Sequence, residues 1–146
     1  MQKYYIWCDG ACKGNPGVGG WGALIIENDV ENRIYGGQLV ATNNQMELKA
    51  AIMGLCALAQ TQRNWVTITT DSQYVKKGIT EWINGWKRNG WRTSTGSEVK
   101  NKPLWVQLDA LCQQHEVHWK WVKGHSGDKN NDIVDELANQ GVQSVK

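Results

Sequence analysis

The chain has no long apolar run, no paired cysteine motif, no internal repeat and no low-complexity linker, and each gap removes a class of protein. Nothing approaches the roughly 20 apolar residues that a membrane span requires. The one early apolar run is cut by Asp9, so no secretory leader is expected. Cys8, Cys12, Cys56 and Cys112 form no pair of C-x-x-C motifs and meet no histidine at zinc spacing. They are expected to be reduced, structural thiols in a cytoplasmic protein. No EF-hand loop is present, which argues against a dedicated calcium cage. What remains is a chain of 146 residues, a length that suits one domain spanning 1–146 around one core.

Charge is nearly balanced at a formal +2, but it is unevenly spread. Between Lys76 and Lys102 seven basic residues face only Glu81 and Glu98, a local excess of +5 that leaves about −3 for the rest. That asymmetry suggests a polyanionic partner on one side of the molecule.

The local patterns alternate between strand and helix. Residues 3–9 read as a strand, "GACKGNPGVGG" as a turn, "WGALIIE" as a second strand, "NDVEN" as a turn and "RIYGGQLV" as a third strand. Helical spacing follows over 43–60, with Met46, Ala50, Met53 and Ala57 in one row. "WVTITT" is a strand, "DSQYVKKGI" opens a helix, and "TEWINGWKRNGWR" is helical until Gly90. A polar loop precedes a helix with Pro103 near its start; "VHWKWV" is a last strand. The final helix is expected to be capped by Asp128 and to end near Gly141. The order implies an α/β fold: a five-stranded mixed sheet, three antiparallel strands then parallel ones, flanked by helices on both faces. "GVGGWG" matches the dinucleotide-binding glycine pattern, but a β-type run follows it where that motif needs a helix.

The informative residues are acids in awkward places. Tyr4 to Cys8 reads as a strand buried on both faces, and it ends in Asp9. An unpaired carboxylate there would cost roughly several kcal/mol. Asp71 ends the fourth strand, Glu47 lies in the first turn of its helix, and Asp135 lies in the last helix beside apolar residues. Each has an ordinary alternative: Asp9 as a turn former, Asp71 as a helix cap, Glu47 closing a capping box with Asn44, and Asp135 on a solvated face. Together they suggest more, because adjacent parallel strand ends converge. Four gathered carboxylates would repel by about 1–4 kcal/mol per close pair. A hard divalent cation such as magnesium relieves that repulsion.

"DGACKGNPG", "TNNQMEL", "TTDSQYV", "WVKGHSG" and "DIVDELA", in that order, resemble the type 1 ribonuclease H family in its bacterial ribonuclease HI branch. The resemblance implies a ribonuclease H-like fold and an endonuclease that hydrolyses the RNA strand of an RNA–DNA hybrid. Asp9, Glu47, Asp71 and Asp135 would be the metal-binding carboxylates for two magnesium ions, with manganese as an option. One ion would activate water and the other stabilise the leaving 3′-oxygen, giving 5′-phosphate and 3′-hydroxyl ends. His125, between Gly124 and Gly127, would be the loop histidine that assists protonation or product release.

The same resemblance distributes the substrate contacts. Asn15, Asn43 and Gln73 would touch the RNA strand, and Asn44 stands beside them as a further neutral group able to sense a 2′-hydroxyl. Thr42 and Asn101 would bind a DNA-strand phosphate. The segment around 80–102 would be a basic protrusion, with Lys87, Arg88 and Arg92 on phosphates and Trp82 against a DNA sugar. Trp86 is expected to pack within the protrusion, and Trp119 and Trp121 to lie in or near the core. Val40, Ala41 and Gln45 stand where the family often has basic or hydroxyl residues, so a weaker phosphate grip is expected there. A monomer is expected. A DNA-directed nuclease of the same fold and a catalytically dead hybrid-binding module are the competing readings; the asparagine cluster counts against the first and the full carboxylate set against the second.

Overall fold

The computed structural model describes residues 1–124 and 127–146. β1 (Lys3–Lys13) and β2 (Gly17–Glu27) form a long antiparallel pair. β2 turns into β3 (Val30–Ala41) through Asn28 and Asp29, at φ 50° and 66°. Two left-handed residues between paired strands make the tight hairpin turn that asparagine and aspartate tolerate best. β4 (Trp65–Thr70) and β5 (Glu116–Trp121) add in parallel, giving the sheet order β3-β2-β1-β4-β5. The expected five-stranded mixed sheet is the one observed.

Helices cover both faces. α1 (Asn43–Cys56) packs on β1 and β2 from one side, and α5 (Lys129–Val145) packs on β1, β2 and β3. Between them in sequence come α2 (Gln73–Lys77), a π-turn at Gly78–Trp82, α3 (Ile83–Arg88) and α4 (Lys102–Gln114). The main core lies on the α1 side and includes Ile6, Cys8, Met46, Leu48, Ile52, Ile68, Trp105 and Leu108. A smaller cluster of Leu24, Val134 and Leu137 lies under α5, with Trp7 packed against it.

Several expectations need correction. β1 and β2 run well past Asp9, through residues read as turn, and the turn itself shrinks to residues 14–16. The cause is packing from distant helices. A Cβ at Gly10 would meet Glu47 N at 2.5 Å, one at Gly19 the Met46 side chain at 2.7 Å, and one at Gly20 the Ala138 carbonyl at 2.1 Å. These glycines are strand residues on which two helix backbones sit. Likewise Gly141 does not end α5; a Cβ there would lie 2.1 Å from the Gly36 carbonyl, so it seats the helix on β3.

Helix α1 ends at Cys56, not near 60, and its cap is Thr42: a reciprocal box joins Thr42 to Gln45, not Asn44 to Glu47. α2 is capped by Ser72, not Asp71. Cys56 is exposed, Tyr5 is exposed on β1, and Trp121 is exposed rather than near-core. All four thiols are free.

Candidate active site

The last parallel pair between β1 and β4 is Cys8↔Thr70. Asp9 and Asp71 are therefore the next residue on each strand, at the point where the two backbones part. Strand ends of this polarity are where open α/β sheets place ligands. The two helices bring the other acids. Because Gly10 lacks a side chain, the first turn of α1 lies against β1 and sets Glu47 beside Asp9. The Gly10 N–H donates to Glu47 Oε1 and also to Asp9 Oδ1, the latter at 2.9 Å. Gly22, paired with Asp9, would put a Cβ 2.5 Å from that of Leu137, so α5 also approaches closely and carries Asp135 toward the same edge.

Carboxylate oxygens of Asp9, Glu47 and Asp71 all lie within 4.8 Å of one another. Asp135 stands outside that trio but lines the same cleft of about 540 Å³, with Gly10, Asn43, Asn44, Ser72, Gln73, Tyr74 and Gly124. Asp9 and Glu47 are buried, and among the described residues no ion pair reaches any of the three. Burial, then the charges of Glu47, Asp71 and Asp135, pushes the Asp9 carboxyl up to about 11. Burial raises Glu47 to about 7 against the pull of hydrogen bonds from Asp9, Gly10 and Ser72. Burial and mutual repulsion thus favour the protonated form of both carboxyls. Clustered, desolvated oxygen donors, with no thiolate or imidazole joining them among the described residues, fit a hard divalent ion.

The expected substrate residues divide into four groups. Asn43, Asn44 and Gln73 line the cleft itself. Asn15 lies outside the lining and accepts from the Asn43 N–H at 3.0 Å, which ties the β1–β2 turn to α1. Thr42 and Asn101 flank the cleft and are linked through Gln45. Along the protrusion, Trp82 is 37% exposed and packs against Tyr74 and Trp86, at ring distances of 6.0 and 5.9 Å. Trp86 is held further by Trp91 and Trp105, so it packs within the protrusion and against α4. Lys87 is not free: its ammonium meets Asp109 at 2.7 Å. Arg88 is exposed, and so is Arg92, which donates to the Gly96 carbonyl at 3.0 Å. His125 lies outside the described residues.

Sequence reasoning missed three contributors. Gly10 and Gly22 read by pattern as turn and strand residues, and the Asp-Gly step at the end of an apolar run is the one signal of a close approach there. Trp121 donates from Nε1 to the Asp71 carbonyl at 3.2 Å and so steadies the strand end that carries the acid. No local signal marks that contact.

The RNase H family model matches residues 1–143 of this chain. The chain belongs to the RNase H family. Ribonuclease H of Coxiella burnetii is 55% identical over 141 residues, covering 97% of this chain and 90% of the relative. Ribonuclease H of Hydrogenovibrio crunogenus is 54% identical over 145 residues, covering 99% of each. Among solved structures, LC9-RNase H1, a type 1 RNase H with the type 2 active-site motif, superposes with a TM-score of 0.91. That match has 28% identity and covers 100% of this chain and 74% of the other. RNase H membership makes the chain an endoribonuclease of a metal-dependent family, and Asp9, Glu47 and Asp71 form an acidic cluster in it. Among the described residues, no helix is long and apolar enough to cross a membrane.

Proposed function

We propose that Asp9, Glu47, Asp71 and Asp135 hold magnesium and that the surrounding cleft and protrusion seat an RNA–DNA hybrid. As a member of the RNase H family, the chain cleaves the RNA strand of such hybrids endonucleolytically. The observation that carries the residue assignment is the trio of carboxylates gathered within 4.8 Å at the parting of β1 and β4. These carboxylates would hold a pair of divalent ions, whose chemistry would be to activate water and to stabilise the leaving 3′-oxygen, giving 5′-phosphate and 3′-hydroxyl ends. Manganese is the other ion such oxygens accept.

The protein's own groups do the rest. Asn43, Asn44 and Gln73 line the cleft as neutral donors and acceptors, suited to a 2′-hydroxyl that only RNA carries. Asn15 supports Asn43 from the neighbouring turn. Thr42 and Asn101 take a phosphate of the DNA strand. Trp82 meets a DNA sugar, and Arg88 and Arg92, with a smaller share from Lys87, meet phosphates without reading sequence. In this reading one catalytic domain carries its own substrate grip over about 80–102 and works as a cytoplasmic monomer; four free thiols suit a reducing compartment.

The test is incubation of labelled hybrid, double-stranded RNA and duplex DNA with and without magnesium. Cleavage of the hybrid's RNA strand alone, dependent on the cation, is expected. Cleavage of duplex DNA, or cleavage that survives chelation, would contradict the assignment.

A further inference from the structure

Asn101 opens α4 in the left-handed region, at φ 62°. Asparagine tolerates that region better than most residues, but it is still uncommon. Asn101 occupies the N-cap position, yet its side chain makes no capping bond, although asparagine is among the best caps available. Its amide is held at both ends instead. Gln45 Nε2 donates to Asn101 Oδ1 at 3.3 Å, and Asn101 Nδ2 donates to the Tyr74 hydroxyl at 3.2 Å. The Tyr74 oxygen is itself fixed, accepting from Trp105 Nε1 at 3.0 Å. At the other end of the same glutamine, Gln45 Oε1 accepts from the Thr42 N–H at 3.0 Å, and the Gln45 N–H donates to Thr42 Oγ1 at 3.2 Å.

We propose that Gln45 is a positioning residue that presets Thr42 and Asn101 as a two-donor grip for one backbone phosphate of the hybrid. The assignment rests on the phosphate-contact role proposed above for those two residues. Its chemistry follows from counting donors and acceptors. Gln45 occupies an acceptor site on each partner: Thr42 Oγ1 receives its N–H, and Asn101 Oδ1 receives its side-chain amide. Thr42 keeps its O–H, and Asn101 keeps the second hydrogen of Nδ2, the first being spent on Tyr74. Both free valences are donors, as an anion needs. Without Gln45 the Asn101 amide is free to turn its oxygen toward the phosphate, which repels. Gln45 lacks the charge that this position often carries in the family, but it replaces attraction with order, joining two helix N-termini whose residues lie 56 apart in the chain.

Gln45→Ala, Gln45→Glu and Asn101→Ala, singly and combined, are compared for KM, kcat and melting temperature on an RNA–DNA hybrid. Gln45→Glu keeps the capping box, since glutamate serves that position as well as glutamine, but it has no hydrogen for Asn101 Oδ1. The expected result is a rise in KM of about five- to tenfold for Gln45→Ala, the scale of one lost hydrogen bond. The kcat should change far less, and Gln45→Glu should raise KM with its melting temperature kept. In the Asn101→Ala background, Gln45→Ala should add a smaller rise, the part that runs through Thr42 alone. A Gln45→Ala variant that melts lower but keeps its KM would reduce Gln45 to a helix cap and overturn the proposal. So would an equal KM penalty with and without Asn101. An unchanged KM in Asn101→Ala alone would instead remove the phosphate role beneath it, and with it any grip for Gln45 to preset.

Discussion

The buried Asp9 carboxyl, raised by its own burial and by three neighbouring acids, is the least comfortable group in the molecule. A carboxyl whose folded value exceeds its unfolded one favours the fold while protonated, and that contribution is lost as pH rises toward the folded value. For Asp9 the window reaches about 11, so it spans the range above neutrality. Metal-free protein should lose stability between about pH 7 and pH 9, and Asp9→Asn should flatten that slope. At the alkaline end the variant should be more stable than the parent by about 1–3 kcal/mol while cleavage disappears. Thermal melts with chelator across that range test this; a variant as pH-sensitive as the parent would clear Asp9 of the strain. Gly10 makes a different demand. A methyl there would press on backbone atoms of Met46 and Glu47 at 2.5 Å. Gly10→Ala should cost about 1–3 kcal/mol of stability and about 100-fold in kcat, because it displaces Glu47 from Asp9. Steady-state kinetics alongside a denaturant melt would separate the two effects, and a kcat near the parent's would show that α1 gives way without moving the acid.

At the level of elements, α3 and the loop behind it act as a cationic surface whose members are not equivalent. Lys87 is already engaged by Asp109, whereas Arg88 and Arg92 are exposed and meet no acid among the described residues. Replacing both arginines by alanine should raise KM, leave kcat nearly unchanged, and reduce the slope of log affinity against log salt by roughly 0.7–0.9 per lost phosphate contact. Lys87→Ala should do less. A fall in kcat at constant KM would contradict contact with the backbone. The element boundaries also show what a sequence reading can reach. The four acids, the helix order, Pro103 and the Asp128 cap were legible, because strand alternation, helix spacing and capping chemistry are local. The lengths of β1 and β2 were not. Glycine reads as turn wherever it clusters, and what makes Gly10, Gly19 and Gly20 strand residues is close packing from elsewhere in the chain: helix backbone over Gly10 and Gly20, and the Met46 and Ala41 side chains over Gly19. The capping box lies two residues earlier than the sequence pattern suggests for a related reason: Thr42 and Asn44 both suit a cap by type, and Glu47 is engaged with the Gly10 N–H instead of closing a box.

At the scale of the whole molecule, the edge remote from the cleft holds a second titratable device. His115 is almost fully buried, and its Nδ1 accepts from the Asn64 N–H at 3.1 Å. It joins the end of α4 to the loop before β4. Burial, then the charge of Arg63, lowers its proton affinity. A histidine with a depressed folded value stabilises the fold above its unfolded value of about 6.5, and that support fades as pH falls through the folded one. The protein should therefore weaken below pH 6.5 by a route independent of the acids, and His115→Asn should soften the acid slope. Parallel acid melts of the two proteins check it, and identical slopes would assign the acid loss elsewhere. No pattern in the sequence distinguishes this histidine from the exposed His118, because the difference arises from the loop before β4, whose Asn64 meets His115 from far away in the chain.

The glycine seam beneath α5 ties these scales together. Asp135 rides six residues before Gly141, about 9 Å along the axis, on a rod that rests directly on β3 at Gly36 and Gly37. The rod behaves as a lever with its fulcrum at that rest. A one-carbon wedge under the fulcrum would tilt the rod and swing Asp135 away from the cleft it lines, so the arrangement of the cleft's acids is adjustable from a seam of backbone far along the helix.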